Sequence, residues 1–114
     1  MTLTQIKNII ASWGLPYAYF EFEATGKTPA PPFVVYFLDG ENDFKADNIN
    51  YQKVRTIHIE LYANNKKESM GWEVTLENSF DSNELSYSKE NDYIPSERMY
   101  VTIYTTEVIY NEQQ

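Results

Sequence analysis

Val54-Arg55-Thr56-Ile57-His58-Ile59-Glu60-Leu61-Tyr62-Ala63 is the stretch on which the fold turns. Ile57, Ile59 and Leu61 alternate with Thr56, His58 and Glu60. Successive strand side chains point to opposite sheet faces, so a period of two predicts a half-buried strand. The β-branched residues of its first half suit a pleated surface. The remaining segments read as partners of this strand or as cover for its apolar face.

Upstream, Ile6, Ile9, Ile10 and Trp13 recur at helical spacing and predict an amphipathic helix over residues 3–13. Thr2 or Thr4 caps its start, and Gly14-Leu15-Pro16 stops it. About three turns are marginal alone, so this helix has to dock by its apolar face. Tyr17-Ala18-Tyr19-Phe20-Glu21-Phe22 predicts a short aromatic strand. Residues 23–32 hold Pro29, Pro31 and Pro32, which lack the amide donor and push their predecessors towards extended geometry. That segment reads as a semi-rigid arm. Phe33-Val34-Val35-Tyr36-Phe37-Leu38 is a near-continuous apolar run, the mark of a central strand covered on both faces. Asp39-Gly40-Glu41-Asn42-Asp43 signals a turn, and the polar residues 44–52 lead extended into the strand quoted first.

Downstream, Asn64-Asn65 caps a second helix over residues 66–79. Trp72, Leu76 and Phe80 form its buried face with Met70 and Val74 beside them, while Glu68, Glu73 and Glu77 read as the solvated face. Gly71 costs up to about 1 kcal/mol against alanine and loosens the first turn. Residues 85–89 predict a short strand, Glu90-Asn91-Asp92 a turn, and residues 98–110 a long final strand engaged on both faces. Residues 111–114 read as a frayed tail. The order α-β-β-β-α-β-β, with no repeat or linker, predicts one domain over residues 1–114. Its class is α+β: a mainly antiparallel sheet with both helices packed on one face.

Composition narrows the function. The 114 residues contain 17 acidic and nine basic side chains, a net charge of −8 that disfavours general nucleic-acid binding. No cysteine is present, which removes disulfides, thiolate nucleophiles and cysteine zinc sites and fits a reducing compartment. No run approaches the roughly 20 apolar residues of a membrane span, and Met1 to Lys7 do not read as a signal peptide. The expectation is a soluble, cytoplasmic chain. Aromatics at 16%, with ten tyrosines, favour sheet and interface surface.

His58 is the single histidine. Glu60 lies two residues away on the same strand face and offers a partner, but no motif supplies a nucleophile, so a surface or interface histidine is the reading. The acidic turn from Asp39 lacks the calcium-loop spacing, since its twelfth position is Asn50. Glu90, Asp92 and Glu97 flank a turn without a nearby histidine and give a metal little support. Lys45, Lys53 and Arg55 with Tyr51 form a basic, aromatic segment that reads as a solvated edge. GxGxxG, Walker and GxSxG patterns are missing. Neither a cofactor nor a metal is expected, and no enzyme reading finds its constellation.

Five stretches carry a resemblance: Trp13-Gly14-Leu15-Pro16-Tyr17-Ala18-Tyr19, then Pro29-Ala30-Pro31-Pro32-Phe33-Val34-Val35-Tyr36, Asp47-Asn48 leading to Tyr51, the strand Thr56 to Tyr62, and a terminal hairpin containing Ile94-Pro95-Ser96-Glu97. In order and length the chain resembles the small tail-completion or tail-terminator proteins of long-tailed bacteriophages and prophages of Gram-positive bacteria. The resemblance implies a structural protein without an active site. It implies a ring, typically of six subunits, and allows a monomer in solution before the chain meets the tube. Such a ring caps the major tail tube protein, docks to the head connector and lets DNA pass without specific binding. Its place would be the virion, at the head–tail interface. A heterologous ring needs two different patches per subunit; Pro29, Pro31, Pro32, Phe44, Tyr51, Tyr100 and Tyr104 are the expected interface residues. The alternative from another class is an acidic monomeric or dimeric regulatory or inhibitor module of phage or prophage origin. A small enzyme or sugar binder built around His58 or the tyrosines is a third.

Overall fold

The computed structural model describes residues 1–22, 27–39 and 53–110. Their elements are α1 (Leu3–Ala11), β1 (Tyr17–Tyr19), β2 (Phe33–Leu38), β3 (Lys53–Ala63), α2 (Lys66–Ser82), β4 (Ser88–Ile94) and β5 (Met99–Tyr110). The fold is α+β, a five-stranded mixed sheet with two helices and spatial order β1-β2-β3-β5-β4. All neighbours are antiparallel except β1 and β2, which run parallel.

β3 lies at the centre, as its alternation predicts. Ile59 faces Tyr36 on one side and Tyr104 on the other, so Val34, Tyr36, Ile57, Ile59, Leu61 and Tyr104 share one sheet face. All six are buried. Ile6, Ile10 and Trp13 join them from the α1 side, Leu76 and Phe80 from α2. Both helices therefore cover the same face. Phe80 sits at the centre of an aromatic cluster, its ring 5.7 Å from Trp13, 5.2 Å from Tyr87 and 5.1 Å from Tyr104. The opposite face carries Val35, Glu60 and Ile103 in one row and Phe37, His58 and Thr105 in the next.

The helices form for local reasons. Thr2 and Gln5 make a reciprocal capping box at the start of α1, and Gly14, at φ +81°, takes the left-handed turn after it. Asn65 caps α2 by accepting the Glu68 N–H at 2.8 Å.

Several sequence expectations need correcting. Phe20 lies outside β1 at φ +73°, so that strand is half the expected length. Glu90, Asn91 and Asp92 are not a turn: they pair with Ile103, Thr102 and Val101 inside β4, because ladder pairing outweighs their turn preference. On α2 it is Glu73 that is buried, at 9% exposure, while Met70 and Val74 stand out at 55% and 59%. Trp72 is only half-buried. Agreement in element order is therefore rough at the boundaries.

Candidate functional site

Two features gather polar chemistry, one on each side of the sheet. On the face away from the helices, His58 Nδ1 lies 3.1 Å from Thr105 Oγ1, its direct neighbour across the β3–β5 ladder. Its Nε2 lies 3.4 Å from Asp39 Oδ2, at the end of β2. The partner suggested by spacing, Glu60, instead accepts a 2.7 Å hydrogen bond from Tyr62 Oη. Tyr62 is held further from ionisation by burial and by that bond. Carboxylate, imidazole and hydroxyl thus stand in a row, the order used in nucleophilic catalysis. Thr105, however, is paired with His58 on one side and Ser88 on the other. Inside such a ladder, backbone N–H groups are engaged with neighbouring strands rather than converging on an oxyanion position. What the row does directly is tie the end of β2 to β5 across β3.

The second feature lies under α2. Ser69, Glu73, Leu76 and Phe80 are its buried residues, spaced four, three and four apart on one helical face. Glu73 Oε2 accepts from Thr102 Oγ1 at 2.6 Å, Asn91 Nδ2 at 2.9 Å and Ser69 Oγ at 3.2 Å. Its Oε1 pairs with Lys89 Nζ at 3.0 Å. The same ammonium reaches Glu77 Oε2 at 2.8 Å, and Glu77 also accepts the Tyr104 hydroxyl at 2.8 Å. Burial alone pushes the Glu73 carboxyl up, but the hydrogen bonds from Thr102, Lys89 and Asn91 with the lysine charge outweigh it, leaving Glu73 below its ordinary value. Lys89 is held above its own, first by the bond to Glu77 and then by Glu73. Burial, then the bond to Glu77, raises Tyr104 far above a free phenol. One cation serves two carboxylates, so the network keeps a negative charge.

Compared with known proteins, the chain matches no family model, no curated protein and no solved structure.

The expected interface residues fall in different places. Pro29, Pro31 and Pro32 are half-buried, and the Pro31 carbonyl accepts from Asn64 Nδ2 at 3.1 Å, which pins the end of the arm to the start of α2. Tyr104 is fully buried on the helix side and offers nothing to a neighbour; strand alternation assigned it a face but not which face the helices cover. Tyr100 is half-buried on that same face, its ring 4.7 Å from Tyr93. Phe44, Tyr51 and the Asp47-Asn48 pair lie outside the described residues. Glu73, Asn91 and Thr102 were missed by sequence reasoning. The available signal was Ser69 and Glu73 falling on the face of Leu76 and Phe80. Among the described residues no three His, Asp or Glu side chains group to hold a metal, and no helix is long and apolar enough to cross a membrane.

Proposed function

We propose that this protein is a non-catalytic assembly subunit of the tail-terminator type. Its fold would be that of tail terminators, and a ring of such subunits would cap a phage tail tube and join it to the head connector. The reading rests on the whole-chain resemblance and on one structural observation. Both helices cover the same sheet face, while the other face carries large apolar side chains in contact with water. Phe20, its ring 6.1 Å from Phe37, is 62% exposed, and Val54 is 58% exposed. A sheet apolar on both faces needs cover on both, and a neighbouring subunit is the cover a ring supplies. On this reading the Asp39–His58–Thr105 row braces the contact face. The partners are further copies of the chain, the tube protein and the connector, and DNA passes through the channel without specific contacts.

Native mass spectrometry of the purified chain, alone and on tubes of a major tail tube protein, tests the proposal. A closed ring on tube ends is the expected result, whether or not the free chain is monomeric. A stable monomer or dimer that leaves tube growth unchanged overturns it and favours the acidic inhibitor module.

A further inference from the structure

We propose that the cavity between the first half of α2 and the β4–β5 hairpin is a socket for a basic side chain, arginine or lysine, on the surface of a partner protein. It encloses about 430 Å³ on the helix side of the sheet, away from the face assigned to ring contacts. The inference does not rest on the ring.

The floor is polar and negative. Ser69, Glu73 and Asn91 line it, and Glu73 shares Lys89 with Glu77. Lys66, exposed at the first position of α2, is the one lining cation. Asp92 also borders the cavity, but its register opposite Val101 turns its side chain to the other sheet face, where Oδ1 accepts the Tyr93 N–H at 2.8 Å. The wall is aromatic: Tyr93 and Tyr100 lie together with ring centroids 4.7 Å apart. Aromatic faces beside carboxylates attract cations and repel anions.

The surroundings say what kind of cation. Met70 lines the cavity and Val74 follows one helical turn later; they are 55% and 59% exposed, and Tyr93 is 43% exposed. A free ammonium ion or small amine would leave these side chains in water. A basic residue on a protein surface would seat its charge in the socket, lay its aliphatic stem along Tyr93 and Met70 and cover Val74 with its neighbours. The chain's net charge of −8 favours a cationic partner at distance. The fitting partner is a protein with a basic patch.

The test is an NMR titration of the full chain with Nα-acetyl-arginine amide and Nα-acetyl-lysine amide, with the glutamine and glutamate amides as controls. Saturable shifts at Ser69, Asn91, Tyr93 and Tyr100 are expected from the cationic probes, and none from glutamate. Tyr93→Ala and Met70→Ala, both at exposed positions, should each weaken arginine binding about threefold. Glu73→Gln should weaken it further; if that variant fails to fold, the two surface variants decide. Equal binding of the glutamine amide, shifts that do not saturate or lie elsewhere, or unchanged affinity in both surface variants overturns the proposal.

Discussion

Glu73 holds three side-chain donors and an ammonium group at a position only 9% exposed, so its removal strands all four. Glu73→Ala should cost about 3 kcal/mol, the scale for breaking a buried pair and leaving its partners unpaired; Glu73→Gln, which keeps an acceptor, should cost less. The depressed pKa gives a pH dependence with a definite sign. A group ionised more easily when folded stabilises above its unfolded pKa, and that contribution is lost as pH falls through the folded value. Wild-type stability should therefore drop as pH falls below about 4.5, with a shallower drop in Glu73→Gln. Chemical denaturation at pH 7, 5 and 3 measures both. Lys89 has the opposite sign, because a raised pKa contributes fully below about 10.5 and is lost above it. Trp13 is the complementary case. Its indole Nε1–H is buried with no partner among the described residues, which costs about 1–3 kcal/mol. Trp13→Phe should thus leave stability within about 1 kcal/mol of wild type, whereas Trp13→Ala, which empties the space against Phe80, should lose about 3–5 kcal/mol; equal losses in thermal melts would show the orphan donor to be harmless. Alternation placed Ile57, Ile59 and Leu61 correctly, because a period of two is a property of the strand itself. Glu73 was illegible, because its donors arrive from β4 and β5, 18 and 29 positions away in sequence, and a helical carboxylate ordinarily faces water.

α2 shows how a helix is built for two surfaces. One face buries Leu76 and Phe80, the other presents Met70, Gly71 and Val74 to water. A Cβ placed on Gly71 would meet nothing within 4 Å, and no left-handed backbone demands glycine there. Gly71→Ala should therefore stabilise the protein by about 0.5–1 kcal/mol, read as a higher urea midpoint at unchanged slope. A loss of stability would mean that α2 is not a regular helix at that position. Helices were legible as elements because their caps and apolar spacing are local: Thr2 with Gln5, Asn65 with Glu68. Strand limits were less so. Glu90-Asn91-Asp92 has the composition of a turn, yet β5 supplies a partner for each residue. The parallel pairing of β1 with β2 was equally hidden, because direction in a ladder depends on how the chain returns through residues 20–32 rather than on the residues that pair. The apolar run in β2 did announce burial on both faces: Val34 and Tyr36 face the helices, Phe33 and Val35 the other side, and all four are buried.

At the scale of the whole molecule the division between faces assigns the work. The helix-side face is filled by its own core, so on the proposed reading contacts with other subunits fall to the opposite face, where Phe20 and Val54 stay exposed although Phe33 and Val35 are buried. Phe20 and Val54 are the positions at which that assignment is most cleanly tested. Phe20 is 62% exposed at φ +73°, a backbone region that aspartate tolerates better than phenylalanine. Phe20→Asp should therefore leave the fold as stable as before. Val54 is 58% exposed in β3, and Val54→Asp should cost no more than about 1 kcal/mol of strand preference. The two positions are distant in sequence and share no described contact, so their small effects should add. The double variant should melt within a few degrees of wild type. It should nevertheless stay monomeric beside tail tubes and leave their growth unchecked, because two carboxylates would have to be buried wherever the face meets a neighbour. Analytical ultracentrifugation with electron microscopy of tube lengths reads both effects. A folded double variant that still closes rings and caps tubes would remove the face away from the helices from the proposed assembly and leave the edges, β1 and β4, as the candidate surfaces for subunit contact.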